Sequence, residues 1–209
     1  MNTFAGATFV TSAAEQHQCP ADDVPEVAFA GRSNAGKSSA LNTLCGHSGL
    51  ARVSRTPGRT QLLNFFEVQI PAALAPGARK GRLVDLPGYG FAQVARDQRR
   101  DWGPVVGGFL QHRPNLRGIV IVMDIRHALA DQDRQMLDWA RHCGRPCHLL
   151  LTKADKLGRN AARQELMKVQ RELPALHDGA SVQLFSVPAR TGVDEAVAHI
   201  AGWLAAPVG

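Results

Sequence analysis

The densest chemical signal in the chain is the octet Gly31-Arg32-Ser33-Asn34-Ala35-Gly36-Lys37-Ser38, which matches G-x-x-x-x-G-K-[ST] at every fixed position. An apolar run, Glu26 to Ala30, reads as a buried strand before it, and a helix is predicted to start at Lys37. The loop's backbone N–H groups and the positive end of that helix then converge on one point, which suits a phosphate. Lys37 would bridge the β- and γ-phosphates of a nucleotide and the Ser38 hydroxyl would hold Mg2+, with Ser39 beside it in the nucleotide-binding set.

A second element, Asp85-Leu86-Pro87-Gly88, sits at the carboxyl end of the apolar run Arg82 to Leu86. Ligands of open α/β sheets lie at that edge. A carboxylate there can act on Mg2+ directly or through water, and the Gly88 N–H can reach a γ-phosphate. Between the two elements lies the turn-rich stretch Thr56-Pro57-Gly58-Arg59-Thr60. Thr56 reads as a turn hydroxyl, whereas Arg59 and Thr60 are expected at the nucleotide, Thr60 completing a metal shell with Ser38 and Asp85. Lys37, Thr60 and Gly88 are the candidate catalytic groups.

The base is addressed by Thr152-Lys153-Ala154-Asp155, immediately after the run Pro146 to Leu151. A carboxylate can accept both N1–H and the 2-amino group of guanine, and adenine offers neither, so Asp155 selects GTP and GDP over adenine nucleotides. Thr152 stands where an Asn is usual in such motifs. It is too short to touch the base but can tie the loop down by its hydroxyl. At Ser186-Val187-Pro188 the Val187 N–H could meet guanine O6, whereas Pro188 has no N–H to give. Modest nucleotide affinity is the expected consequence.

These groups need a scaffold that gathers strand ends. Glu26 to Ala30, Arg82 to Leu86, Gly118 to Asp124, Pro146 to Leu151 and Ser181 to Phe185 read as buried strands. Lys37 to Cys45, Arg96 to His112, Asp131 to Cys143, Arg159 to Leu173 and Val193 to Leu204 read as helices. Strand then helix, repeated, means a mostly parallel sheet with helices on both faces, an α/β P-loop NTPase (G domain) fold. Gln61 to Ile70 precedes Arg82 to Leu86 with only the Pro/Gly-rich loop Pro71 to Gly81 between, so these two form a hairpin and one edge strand is antiparallel. Residues 1–209 are expected to be one domain, with a short N-terminal extension at 1–23.

The 44% hydrophobic and 20% charged content excludes a disordered chain or a collagen. Formal charge is +6, and from Glu26 to Glu67 no carboxylate occurs while Arg32, Lys37, Arg52, Arg55 and Arg59 do, a segment that should attract polyanions such as nucleotide phosphates or RNA. Cys19, Cys45, Cys143 and Cys147 show no disulfide framework. His142-Cys143 and Cys147-His148 lack the spacing of a zinc site and read as a helix end followed by a buried strand. No apolar run approaches the ~20 residues of a membrane span, and no charged leader precedes one. A reduced, cytoplasmic protein that does not bind DNA is expected.

With these motifs in place the chain resembles the EngB family of bacterial ribosome-biogenesis GTPases, in the TrmE-Era-EngA-EngB group. The resemblance runs from about Phe9 to Leu204 and rests on TPGRTQLLNFF (56–66), DLPGYGFA (85–92), the Trp102 to Leu110 stretch with Gln111-His112-Arg113, MDIRH (123–127), DxxMxxW (133–139) and TKAD (152–155). Val187-Pro188 and the 71–81 insertion depart from the family. The resemblance implies a GTP-binding switch that acts in assembly of the large ribosomal subunit, and in normal growth or division through that role. Its partners would be ribosomal RNA and ribosomal proteins of that subunit or its precursor, and a monomer is expected. A non-catalytic scaffold in which GTP or GDP is structural is the alternative; a P-loop kinase or ATPase is disfavoured by Asp155. Tyr89 follows Gly88 where efficient GTPases often place a Gln that orients water, so unaided hydrolysis is expected to be slow, with Tyr89 packing on the sheet or a partner. Asn34 resembles the residue that holds K+ beside the phosphates in potassium-activated members, or else it simply tolerates a left-handed turn.

Overall fold

The computed structural model describes residues 4–51, 62–74, 77, 80–89 and 103–206. Seven strands form one sheet: β1 (Thr8–Ala13), β2 (Glu26–Gly31), β3 (Leu63–Gln69), β4 (Lys80–Asp85), β5 (Leu116–Asp124), β6 (Cys147–Thr152) and β7 (Ala180–Leu184). Their order across the sheet is β1-β3-β4-β2-β5-β6-β7. The helices are α1 (Lys37–Leu44), α2 (Gly103–His112), α3 (Asp131–His142), α4 (Arg159–Leu176) and α5 (Val193–Ala205). Residues 96–102, expected to begin the second helix, lie outside the described residues.

Period-two alternation within fully buried strands explains why helices cover both faces. Val27 and Phe29 of β2, Val120 and Val122 of β5 and Leu150 of β6 join the core under α1 and α5. Ala28 and Ala30, Ile119, Ile121 and Met123, and Leu149 and Leu151 point the other way, into the core with α2, α3 and α4. β2 pairs in parallel with both β4 and β5, and β5–β6–β7 continue in parallel. The expected hairpin is present: β3 runs antiparallel to β4, Asn64 opposite Asp85 and Gln69 opposite Lys80.

The sequence reading did not foresee β1. It pairs antiparallel with β3 along the outer side, so the antiparallel strand is second from the edge and residues 8–13 of the segment read as an extension belong to the sheet. A register jump between Phe9 and Thr11 bends this edge, a common way of blunting an exposed strand. Phe4 is fully buried and donates its N–H to the Leu44 carbonyl (2.9 Å). α4 runs one turn past the expected end, with Pro174 in its last turn, where a single i to i−4 bond is forfeited.

The His142-Cys143 and Cys147-His148 pairs fall as expected, at the end of α3 and the start of β6. Adjacent strand residues face opposite sides: Cys147 enters one core, where burial pushes its thiol up to about 12. His148 lies under α5, within hydrogen-bond distance of Ser181 Oγ (2.7 Å) and Gln183 Oε1 (2.8 Å) and stacked on His199 at 4.0 Å. Burial, reinforced by His199, holds His148 down at about 4. Because that lies below the value near 6.5 of an unfolded chain, stability is fully present above about pH 6.5 and is lost as pH falls toward 4. Urea unfolding at fixed nucleotide concentration should show about 2 kcal/mol lost between pH 7 and pH 5, and His148→Gln should remove most of that slope. An unchanged slope in the variant would assign the acid sensitivity elsewhere.

Candidate functional site

Four parallel strands end along one edge in Gly31, Asp85, Asp124 and Thr152. Chain connections leave β2 towards β4 and leave β5 towards β6, in opposite directions, which opens a crevice at this edge. The sequence-predicted loops gather there. Gly36 caps α1 at φ 97, a left-handed conformation that glycine adopts without strain, and turns the 31–36 loop into the helix. Lys37 then opens the helix, with Ser38 and Ser39 half-buried behind it.

Lys37 Nζ is ion-paired with Asp85 Oδ1, at side-chain exposures of 10% and 8%. Taking two charges this far from water is costly unless each neutralises the other. Leu86 continues the strand edge by donating its N–H to Phe29 O (3.0 Å), which carries Pro87 and Gly88 over the P-loop. A Cβ added at Gly88 would lie 3.2 Å from Ser33 Oγ, so only glycine allows this approach without displacement.

The base-side loop is tied to the phosphate-side loop. Thr152 Oγ1 is 2.6 Å from Ala35 O and 2.9 Å from Met123 O, its single proton shared between two carbonyls. That is the tether expected of a threonine too short for the base. Lys153, left-handed at φ 57, donates Nζ to Asn34 O (2.8 Å) and pairs with Asp124 Oδ2 (2.9 Å). Burial works to raise the Asp124 carboxyl, but hydrogen bonds from Arg126 and Lys153 outweigh it and hold it well below the ordinary carboxylate range. Ala154 N donates to Phe185 O (3.2 Å), so the loop after β6 and that after β7 are held side by side. Ser186 Oγ donates to Asp155 Oδ1 (2.7 Å) and accepts from Ala189 N (3.3 Å), which fixes the carboxylate beside the exposed Val187 and Pro188. A groove of about 430 Å³ opens between α1 and this loop, lined by Ser39, Thr43, His47, Val187 and Arg190.

The profile of the family described as "50S ribosome-binding GTPase" matches residues 26–153. A "Probable GTP-binding protein EngB" of Aromatoleum aromaticum is 50% identical over 207 residues, covering 99% of this chain and 92% of that one. The chain belongs to the EngB family of GTPases. A crystal structure of a probable EngB GTP-binding protein superposes with a TM-score of 0.62 at 19% identity, over 86% of this chain and 98% of that one. Era in complex with MgGDPNP and a segment of 16S ribosomal RNA superposes at 0.68 and 20% identity, over 87% of this chain and 57% of that longer one. As a member of the EngB family the protein binds GTP and GDP and hydrolyses GTP.

Two sequence expectations look different at this edge. Of the basic residues between Glu26 and Glu67, Lys37 is ion-paired with Asp85 and Arg32 with Asp133, so neither cation is free for a polyanion unless its partner is displaced. Arg52, Arg55, Thr56, Arg59 and Thr60 lie outside the described residues. Asn34 sits at φ 65, exposed, its carbonyl taken by Lys153. The left-handed turn is by itself a sufficient reason for asparagine here. Sequence reasoning missed Asp124 and Asp133 as site residues, although both stand in stretches that carried the family resemblance.

Proposed function

We propose that this protein is a Mg2+-dependent GTPase switch of the cytoplasm that binds the large ribosomal subunit or its precursor and acts in its assembly, normal growth and division depending on that step. The observation that carries the nucleotide half is the gathering of Lys37, Asp85, Gly88 and Asp155 along one sheet edge, with the loops around them cross-tied. The family's description as 50S ribosome-binding carries the other half.

In this reading the P-loop backbone from Gly31 to Gly36 cradles the phosphates. Arg32 contributes only its backbone, since its side chain turns away to Asp133 and to the His127 carbonyl (2.6 Å). Lys37 exchanges Asp85 for the β- and γ-phosphates, and Asp85, buried and left without its cation, requires another. The hard oxygen donors Ser38 and Asp85 fit Mg2+ in that place, Thr60, outside the described residues, is the third donor proposed from the sequence, and the ion would neutralise charge on the phosphate oxygens. Gly88 offers its N–H to the γ-phosphate. The groove between Ser39 and Val187 takes the nucleoside, Asp155 reads its base, and Thr152, Lys153, Ala154 and Ser186 hold Asp155 in position while Pro188 adds no donor. A K+ ion at Asn34 rests on the family resemblance alone. In this reading the nucleotide is bound by a single G domain acting as a monomer.

Sedimentation with 50S subunits in the GDP state and with a non-hydrolysable GTP analogue tests the ribosomal half. Association should depend on the nucleotide and weaken with salt, since each phosphate contact contributes roughly 0.7 to 0.9 to the log–log salt slope. Replacing Arg52, Arg55 and Arg59 together by Ala should flatten that slope by about two. Binding indifferent to salt, nucleotide and these substitutions would overturn the role assigned to the 52–60 segment.

A further inference from the structure

Tyr89, the only tyrosine of the chain, is 8% exposed and follows Gly88 on the turn assigned to the γ-phosphate. It is fastened to the P-loop by its backbone: Tyr89 N donates to Gly31 O (3.2 Å) and Ser33 N donates to Tyr89 O (3.2 Å), a parallel bridge opposite Arg32. Its side chain is fastened elsewhere. Tyr89 Oη donates to Asp133 Oδ1 (2.9 Å) in the first turn of α3. Burial first, then the adjacent carboxylate, pushes the phenol well up from its ordinary value, so it stays a donor.

Asp133 is completely buried, which a carboxylate tolerates only when its oxygens are taken. Its Oδ2 accepts from Ala130 N (3.2 Å) and lies 3.3 Å from Arg32 Nε, an ion pair rather than an aligned hydrogen bond. Arg32 is itself held by the His127 carbonyl after β5. One carboxylate therefore joins the P-loop through Arg32, the Asp85–Gly88 turn through Tyr89, and the start of α3. A phenylalanine against an apolar α3 residue would fill the same volume without burying a charge. What the polar arrangement adds is a fixed seat for Tyr89, and hence for Gly88 beside it, which packs against Ser33.

We infer that Asp133 is a positioning residue for GTP hydrolysis, acting through Tyr89 and Arg32 to latch the Asp85–Gly88 turn onto the P-loop in the place from which Gly88 meets a γ-phosphate. This deepens the functional reading above and rests on it. The latch serves GTP and not GDP, because only GTP carries the group that Gly88 meets. It also couples α3 to the nucleotide: a γ-phosphate that retains Gly88 favours Tyr89 on Asp133, and by reciprocity the Tyr89–Asp133 bond favours the γ-phosphate.

The test compares the wild-type chain with Tyr89→Phe, which removes one oxygen, and with Asp133→Asn, which keeps the shape and an acceptor for Ala130 N but removes the charge facing Arg32. For each, affinity is measured for GDP and for a non-hydrolysable GTP analogue, together with single-turnover GTP hydrolysis at saturation. Affinity for the GTP analogue is expected to fall about tenfold, as suits a lost hydrogen bond to a charged group, with the hydrolysis rate falling alongside. GDP affinity should stay within about twofold. The double variant should be no worse than the worse single one, because both remove the same tie. Equal losses for GDP and the GTP analogue would mark the contact as merely structural and overturn the inference, as would no loss for either. If Asp133→Asn does not fold, Tyr89→Phe decides alone. Absence of guanine-nucleotide binding in the wild-type chain would overturn the functional reading itself, a failure seen before any ratio is formed.

Discussion

Asp155→Asn is expected to lower GTP affinity by roughly 10²- to 10⁴-fold, the range for two charge-assisted hydrogen bonds lost at about 1.5 to 3 kcal/mol each. The direction follows from donors and acceptors. Guanine presents N1–H and a 2-amino group, two donors in a row, and a carboxylate accepts both. An asparagine amide accepts one and opposes the other with its own N–H pair. Xanthine, with a 2-oxo group, presents a donor beside an acceptor, which the amide matches, so xanthosine triphosphate should bind the variant better than GTP does. The surroundings of the carboxylate add a constraint on position. Asp155 Oδ1 accepts from Ser186 Oγ and Lys156 Nζ lies 3.8 Å from Oδ2, so the carboxylate is held from both oxygens. Ser186→Ala in the wild-type background should therefore cost GTP affinity by loosening Asp155, without creating any preference for xanthine. Competition of labelled GTP by XTP and ATP on both variants reads the outcome. If Asp155→Asn still prefers GTP over XTP, Asp155 does not read the base.

How much of this was legible in the residues differs by element. β2, β5 and β6 are buried on both faces, so they appear as short continuous apolar runs that their length and their Gly, Pro or charged flanks mark as strands. The P-loop was legible because its function fixes spacing within eight residues, and Thr152 because a hydroxyl at the end of a strand has few things to reach. β1 was not. TFVTSA is short and half exposed, and what makes it a strand is pairing with β3, far along the chain. The same holds for charge. Arg32 and Lys37 look like free cations in a carboxylate-free stretch, and only the fold brings Asp133 and Asp85 to them. Likewise the choice between a packed and a catalytic Tyr89 could not be refined from sequence, because its partner lies 44 positions further on. Motifs that are local in the chain could be read, and so could the need for a tether at Thr152; the partners that strand crossings bring to them, Ala35 included, could not.

Lys37→Ala should cut GTP turnover by roughly 10²- to 10³-fold, the usual cost of removing one preorganised charge from a transition state that develops negative charge. The ion pair with Asp85 adds a second effect. With both side chains nearly sealed from water, removing the lysine strands a buried carboxylate, and breaking such a pair costs about 3 to 5 kcal/mol. Against a typical domain stability of about 5 to 15 kcal/mol, the variant should still fold but unfold at clearly lower urea. The two effects can be separated because they have different partners. Adding Asp85→Asn to Lys37→Ala removes the stranded charge, so it should restore most of the urea midpoint. It should not restore turnover, since the cation is still missing from the phosphates and Asp85, proposed to help hold Mg2+, has been removed as well. Unfolding midpoints in the absence of nucleotide, with initial rates at saturating GTP, for the two single variants and the double variant complete the cycle. If turnover recovered along with stability, Lys37 would act only by neutralising Asp85, and its assignment to the β- and γ-phosphates would fall.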